Sequence, residues 1–456
     1  MSTVIRKPDF DNDVDKPNKV QAHNEACFCL RCFARIILLL LGAIMTIYVC
    51  ILSSDRYFKY WVQTTIDRTD VHVSKIPFPA ITICPADITL DNWQTGKRDK
   101  RIKLFNLVQS VHWRTAANVQ ETERDLKEFE EFKNQSLHHI DNLFNYKCED
   151  LFVRCTWRRK VVDCCSVLFR RMTLGTCSSF NSIYAENPDP TWPWSVADYG
   201  IKSALNIQLN RYLNGIRLQA IGVIVQEPSE LIGSSVTYTS DDRIVLTLQP
   251  LHFTAEPGVR SRPVNIRHCY FPEELTESYS DCTSHCHFNY ILEKCNCTYD
   301  LPKPVKVDLR REESTRRCEV KDLPCLQANG VSLFYMGNII EQSKDNIFNT
   351  TDCECFPSCT HTQYHAVTFT DKWNSLEGNE NYIKVDVHFQ EATLFSYRST
   401  LYITILDLMV SYGGIAGLFL GISVLGAVNA ILNRISCCKK HVPEPESKPV
   451  KPDHAP

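Results

Sequence analysis

"SYGGIAGLFLGISVLGAVNAIL", residues 411–432, is apolar and uncharged, as a membrane span must be, yet it carries Gly413, Gly414, Gly417, Gly421 and Gly426. Each glycine weakens a helix by about 1 kcal/mol relative to alanine. A segment that has to satisfy its own backbone in lipid is therefore rich in its poor helix formers. Gly413, Gly417 and Gly421 fall four apart, so a continuous helix presents them on one face. Small residues at that spacing let helix backbones approach closely. A packing face would account for this pattern, and so would a helix built to break around an axis.

The uncharged stretch runs from Leu408 to Leu432. At 1.5 Å per residue it reaches about 37 Å, enough to cross a hydrocarbon core of about 30 Å with some tilt. A second candidate span is Ile36–Leu52, extended to residues 36–54. A cleaved signal peptide fits it less well, because a long segment precedes it and no small-residue cleavage site follows. Arg31 and Arg35 precede the first span, and Arg434, Lys439 and Lys440 follow the second. Basic flanks stay on the cytoplasmic side, so residues 1–35 and 433–456 read as cytoplasmic and 55–407 as extracellular. The N-x-S/T sequons at Asn134, Asn296 and Asn349 all lie in that interval, as do sixteen of the 22 cysteines. Such cysteine density suits an oxidising compartment. Cys27, Cys29, Cys32, Cys437 and Cys438 fall at the membrane surface, where they are either palmitoylation candidates or ordinary thiols. The net charge of −3 gives no global field for a nucleic acid.

Within the interval, "PFPAITIC" at 77–84 has strand-like residues after two prolines, and "ETERDLKEFEEFKNQSLHHI" at 121–140 reads as an exposed helix with solvated charges. "IRLQAIGVIVQ" at 216–226 and "RIVLTLQP" at 243–250 are strand candidates. "YIKVDVHF" at 382–389 alternates Ile383, Val385, Val387 and Phe389 against Lys384, Asp386 and His388, which predicts a half-buried strand with His388 at the surface. The tail from His441 is proline-rich and carries a minimal PxxP at Pro449–Pro452. Residues 269–359 hold ten cysteines in a nearly palindromic spacing that suits two antiparallel segments stapled at successive turns. That spacing leaves the connectivity open. Zinc is disfavoured because no histidine stands at finger spacing. No P-loop, H-E-x-x-H or G-x-S-x-G occurs, so nothing suggests an enzyme.

Taken in order, "PFPAITIC", "GTCSSFN" at 175–181, the ladder ending "CECFPSCTHTQY" at 353–364 and "GGIAGLFLGIS" in the second span resemble the degenerin/epithelial sodium channel family over residues 33–435. "CEDLFVRCTWRRKVVDCC" at 148–165 and "IRHCYFPEELTESYSDC" at 266–282 are most similar to the arthropod pickpocket-like branch. The resemblance implies a trimeric, amiloride-sensitive type of channel with two transmembrane helices per subunit. It also implies a disulfide-rich α+β ectodomain with a palm β-sheet, a helical finger and a thumb at about 269–359. The implied pairs are Cys84 with Cys177, Cys155 with Cys164, Cys269 with Cys359, Cys282 with Cys355, Cys286 with Cys353, Cys295 with Cys325, and Cys297 with Cys318. Cys148 and Cys165 are left as an eighth pair. Gly421, Ile422 and Ser423 match the family's G-x-S selectivity filter, where backbone carbonyls face the axis.

The same resemblance places the gate at Val410, where a small residue is usual and bulk favours the open state, and puts Gly413, Gly414 and Gly417 on the pore helix. Asp407 lies at the outer mouth, where it either attracts cations or caps the helix. No cofactor is implied; the permeant ion is sodium. The expected partners are the lipid bilayer, an extracellular ligand or other stimulus, and related subunits in a homo- or heterotrimer at the plasma membrane. Two departures stand out. His23-Asn24 does not reproduce the His-Gly pair that precedes the first span in the family. Gly426 and Asn429 stand where a carboxylate follows the filter. These departures keep open a non-conducting or regulatory subunit, or a two-span cell-surface receptor.

Overall fold

In the computed structural model the described residues are 18–59, 61–90, 97–113, 118–141, 146–171, 174–201, 205–230, 235–274, 279–298, 316–329, 355–371, 381–421, 423, 426 and 428. The chain divides into two compact units, one of residues 1–61 and 401–456, the other of residues 62–400.

The larger unit is built on two sheets. The first has eight strands in the order β1 (Val62–His72), β14 (Thr393–Leu401), β11 (Arg243–Ala255), β13 (Tyr382–Phe389), β7 (Leu205–Asn210), β3 (Phe152–Trp157) and β4 (Lys160–Val162), with β12 (His361–Asp371) also paired to β11. The second has six strands in the order β10 (Ser235–Thr239), β9 (Ile216–Gln226), β2 (Ala80–Leu90), β6 (Leu174–Phe180) and β5 (Leu168–Arg171), with β8 (Tyr212–Leu213) paired to β9. The strand over 216–226 lies between two neighbours and is buried almost continuously from Leu218 onward, as expected where both faces are covered.

The quoted motifs meet in this core. "PFPAITIC" and "GTCSSFN" pair as antiparallel β2 and β6, with Ile81 opposite Phe180 and Thr82 opposite Ser179. The Thr82 and Ser179 hydroxyls share a buried hydrogen bond of 2.6 Å, and Cys84 is bridged to Cys177 beside them. The ring of Phe78, fully buried, lies 5.1 Å from Trp157, 5.5 Å from Phe389 and 6.2 Å from Phe180, so one side chain joins both sheets. Asn181 follows in the left-handed region at φ 58°, which asparagine tolerates. Its amide donates to the Phe78 carbonyl at 2.5 Å and its oxygen accepts the Trp194 N–H at 2.7 Å. The buried Tyr364 of "CTHTQY" donates its hydroxyl to the Pro77 carbonyl at 2.7 Å.

The helices α2 (Lys97–His112), α3 (Val119–Leu126), α4 (Leu137–Asp141), α5 (Tyr279–Cys295) and α6 (Leu323–Ala328) pack on one another, with α2 also against β2 and α4 against β6. Bridges join Cys84–Cys177, Cys148–Cys165, Cys155–Cys164, Cys269–Cys359, Cys282–Cys355, Cys295–Cys325 and Cys297–Cys318. Cys286 is also disulfide-bonded, while Cys353 lies outside the described residues.

Two expectations need correction. Residues 121–140 are not one exposed helix: α3 passes into a 3-10 turn at Lys127–Phe132 and then breaks before α4. The break has a cause, because the Leu137 N–H donates to the Cys318 carbonyl and the Val320 N–H to the Gln135 carbonyl, so the backbone there is engaged sideways. Phe129, Phe132, Leu137 and Ile140 are buried. His388 is buried as well, at 6% exposure, and burial pulls its imidazole pKa down against the opposing charge of Asp386.

Candidate functional site

The smaller unit is described through two helices, α1 (Asn18–Lys59) and α7 (Ile405–Leu420). The apolar part of α1, Ile36–Phe58, is long and apolar enough to cross a membrane. It extends four residues past the expected end at 54 before the helix stops at Lys59. Leu38, Ile44, Ile47 and Ile51 on α1, and Leu406, Met409 and Leu418 on α7, are all about 60% exposed or more. Apolar surface on this scale calls for lipid or protein to cover it.

The start of α7 is fixed by a reciprocal cap. Thr404 Oγ1 accepts the Asp407 N–H at 3.1 Å, and the Thr404 N–H and hydroxyl donate to Asp407 Oδ2 at 3.0 and 2.7 Å. Asp407 is therefore exposed and holds the first turn of α7 at the same time. Val410 is 67% exposed. Two residues on, the Tyr412 hydroxyl shares a short hydrogen bond with the Ser54 hydroxyl of α1, and Ser54 donates to the Cys50 carbonyl at 2.8 Å.

The glycines of α7 divide by environment. A Cβ on Gly413 or Gly414 would meet nothing within 4 Å, so their smallness is not used by α1. Gly417 is half-buried and its carbonyl accepts the Gly421 N–H at 3.1 Å. That bond is the last of the helix, because Gly421 turns into the left-handed region at φ 65°, ψ 19°. A residue with a side chain would be strained there. Beyond the turn, Ser423 Oγ accepts the Gly426 N–H at 3.0 Å, and residues 426 and 428 are again helical. The sixteen residues of α7 reach about 24 Å, from Ile405 to the turn at Gly421. A break of this kind leaves last-turn carbonyls without intrahelical donors. Ile422 and Asn429 lie outside the described residues, as do Cys437, Cys438 and the proline-rich tail.

Gly42 of α1 was not anticipated. Its backbone lies so close to α7 that a Cβ there would stand 2.7 Å from the Phe419 carbonyl oxygen. The signal available in the sequence was a lone glycine inside "IILLLLGAIMTIYV". Of the sequons, Asn134 is exposed, Asn296 is exposed with φ 49°, and Asn349 is outside the described residues. No group of three or more His, Cys, Asp or Glu side chains is placed to hold a metal among the described residues.

The family model described as "Amiloride-sensitive sodium channel" matches residues 30–432. Pickpocket protein 19 of Drosophila melanogaster is 24% identical over 443 residues, covering 86% of this chain and 83% of its own length. Acid-sensing ion channel 1A of Danio rerio is 22% identical over 474 residues, covering 93% and 89%. A cryo-EM structure of a proton-activated chloride channel covers 90% of this chain and 98% of its own at 7% identity and a TM-score of 0.30, too weak a likeness to bear on the fold.

Proposed function

The chain belongs to the amiloride-sensitive sodium channel family, a family of ion channels and not of enzymes, and on that premise we propose that it is a plasma-membrane cation-channel subunit with sodium as its permeant ion. In this reading α1 and the segment from Ile405 to Leu432 both cross the bilayer. Three copies, identical or related, surround an axis lined by the second segment. Gly421, Ile422 and Ser423 form the constriction, where peptide carbonyls replace part of the cation's water. Both termini are cytoplasmic, and Asn134, Asn296 and Asn349 are glycan acceptors outside.

The observation that carries the reading is the break at Gly421, inside the G-x-S. Irregular backbone at membrane depth is tolerated where it lines a water-filled cavity. Ser423 supports it by holding the Gly426 N–H. The open space beside Gly413 and Gly414 suits the approach of further copies. Gly426 and Asn429 leave the inner vestibule without carboxylates, which favours a second, related reading: assembly with partner subunits that supply them. The ectodomain receives the stimulus, a ligand, proton or force, and shifts the gate at Val410 only if it interacts differently with the open and closed states.

The test is whole-cell recording from cells expressing the chain alone or with related subunits, under acid, peptide and stretch stimuli, with sodium replaced by a large organic cation. An amiloride-blocked inward current that disappears on sodium removal is expected. Ser423→Ala, which deprives the Gly426 N–H of its acceptor, is expected to shift the sodium-to-potassium reversal potential. A surface-labelled chain that carries no sodium current in any combination overturns the reading.

A further inference from the structure

α1 and α7 meet along two stripes of opposite character. On α1 the half-buried Gly42, Thr46, Cys50 and Ser54 recur at every fourth residue and so share one face. All four are small. On α7 the half-buried Leu408, Tyr412, Ile415 and Phe419 recur at spacings of four, three and four, and all are bulky. Gly42 and Phe419 meet toward one end of this seam, and Ser54 and Tyr412 share their hydrogen bond toward the other. Side chains on a helix lean toward its N-terminus, so the Tyr412 ring reaches back toward the start of α7 to find Ser54.

The chemistry of this bond fixes its direction. A serine hydroxyl carries one proton. Ser54 directs it to the Cys50 carbonyl at 2.8 Å, so its oxygen is the acceptor and the Tyr412 O–H donates. Thr46 makes the same back-bond, to the Gly42 carbonyl at 2.7 Å. A hydroxyl bonded to its own helix needs no donor from another one. A phenylalanine at 412 would fill the same space, so packing alone does not call for the phenol.

Successive helical residues turn by about 100°. Relative to Tyr412, Gly413 therefore stands about 100° round α7, Val410 about 160° and Gly414 about 200°. All three are exposed. Holding Tyr412 against α1 thus turns Val410 and the glycine pair away from α1. We propose that Tyr412 is a positioning residue: its hydroxyl, held by Ser54, fixes the rotation of α7 and with it the direction in which Val410, Gly413 and Gly414 face. The consequence for permeation rests on the reading of α7 as the pore-lining helix; the bond and the rotation do not. A rotation that redirects Val410 breaks the bond, so the bond favours the arrangement in which that residue faces away from α1.

The test compares full-length Tyr412→Phe, Ser54→Ala, the double variant and Ser54→Thr, which keeps a hydroxyl. Three quantities are measured. One is the melting midpoint in detergent. The second, with Val410→Cys added to each background, is the rate at which a methanethiosulfonate labels residue 410, read by mass spectrometry. The third is the fraction of the stimulated sodium current that flows without stimulus. Each single loss of a hydroxyl is expected to lower the midpoint and to change the labelling rate and the current fraction, in one direction, by about threefold or more. The double variant is expected to match the singles, because one bond is lost only once, and Ser54→Thr to match the wild type. Labelling reads the rotation without any current, so a silent chain whose labelling follows this pattern supports the positioning role while removing the channel reading. Additive effects in the double variant show that the two hydroxyls do not bond, and overturn the proposal. A lowered midpoint with unchanged labelling leaves a structural contact only and overturns it too.

Discussion

Gly42→Ala tests the packing on which the helix break depends. A Cβ at this position falls 2.7 Å from the Phe419 carbonyl oxygen, 3.5 Å from its carbon and 3.6 Å from Leu420 Cδ2. Ordinary contact begins near 3.4 Å, so the added methyl intrudes on the oxygen by about 0.7 Å. That oxygen is backbone and cannot swing aside like the end of a side chain. It also lies two residues before Gly421, so relief requires the last turn of α7, or α1 itself, to move. Overpacking of this kind costs about 1–3 kcal/mol. The corresponding change in the balance between the packed and displaced arrangements is about 5- to 150-fold. Gly42→Val, with a branched side chain, costs more. Two measurements follow the effect: the melting midpoint of detergent-solubilised full-length protein, and current per surface-labelled chain with its reversal potential. Both variants are expected to lower the midpoint, valine more than alanine, and to alter ion discrimination because the displacement falls beside the proposed filter. If Gly42→Val keeps the wild-type midpoint, current and reversal potential, α1 and α7 do not meet here and the reasoning is refuted.

Two further predictions concern the ectodomain. Gly222→Ala places a Cβ 2.0 Å from Cη2 and 2.2 Å from Cζ2 of the buried Trp113, whose indole N–H is held by Gln109. Surface yield is expected to fall, with partial rescue by Trp113→Leu, and normal yield from Gly222→Ala alone would show that the indole does not lie there. Burial, and then the charge of Glu230, push the Glu227 carboxyl pKa up to about 8 from 4.5, against the opposing hydrogen bond from the Thr362 N–H. Because the folded value exceeds the unfolded one, this group's contribution to stability is full below about pH 4.5 and is lost as pH rises through about 8. The melting midpoint is therefore expected to drop between about pH 4.5 and about pH 8, and Glu227→Gln is expected to flatten the slope. An unchanged slope in Glu227→Gln assigns the pH dependence to other groups.

Strand identity was legible in the ectodomain wherever one short-range pattern decided it. The alternation in "YIKVDVHF" and the β-branched run in "IRLQAIGVIVQ" correspond to β13 and β9 residue for residue. What alternation could not tell is how deep the polar face lies. Asp386 and His388 occupy the face opposite Val385 and Val387, yet both are nearly covered, because β13 sits between β11 and β7 and the neighbouring side chains close over them. The break in 121–140 was illegible for a related reason: its cause is a backbone pairing with residues 318–320, nearly two hundred positions away. The cysteine spacing alone left the connectivity open. The pairs closed in the structure are pairs that family resemblance had implied, and no rule of spacing selects them.

In the candidate pore segment the sequence showed five glycines without distinguishing their tasks, and the structure sets Gly421 apart from Gly413 and Gly414. Gly421 is needed for its backbone angle, since φ 65° ends the helix. Gly413 and Gly414 have no such angle and no neighbour within 4 Å. In a single chain they only weaken α7, by about 1 kcal/mol each. A cost without a local return is accounted for if another copy approaches that face. Gly42 makes the complementary point from α1: there the close approach is made inside one chain, against Phe419, and it holds in place the turn that precedes Gly421. The intrachain contact thus reaches the turn before the break and leaves the Gly413–Gly414 face open, which suits the proposed shared axis.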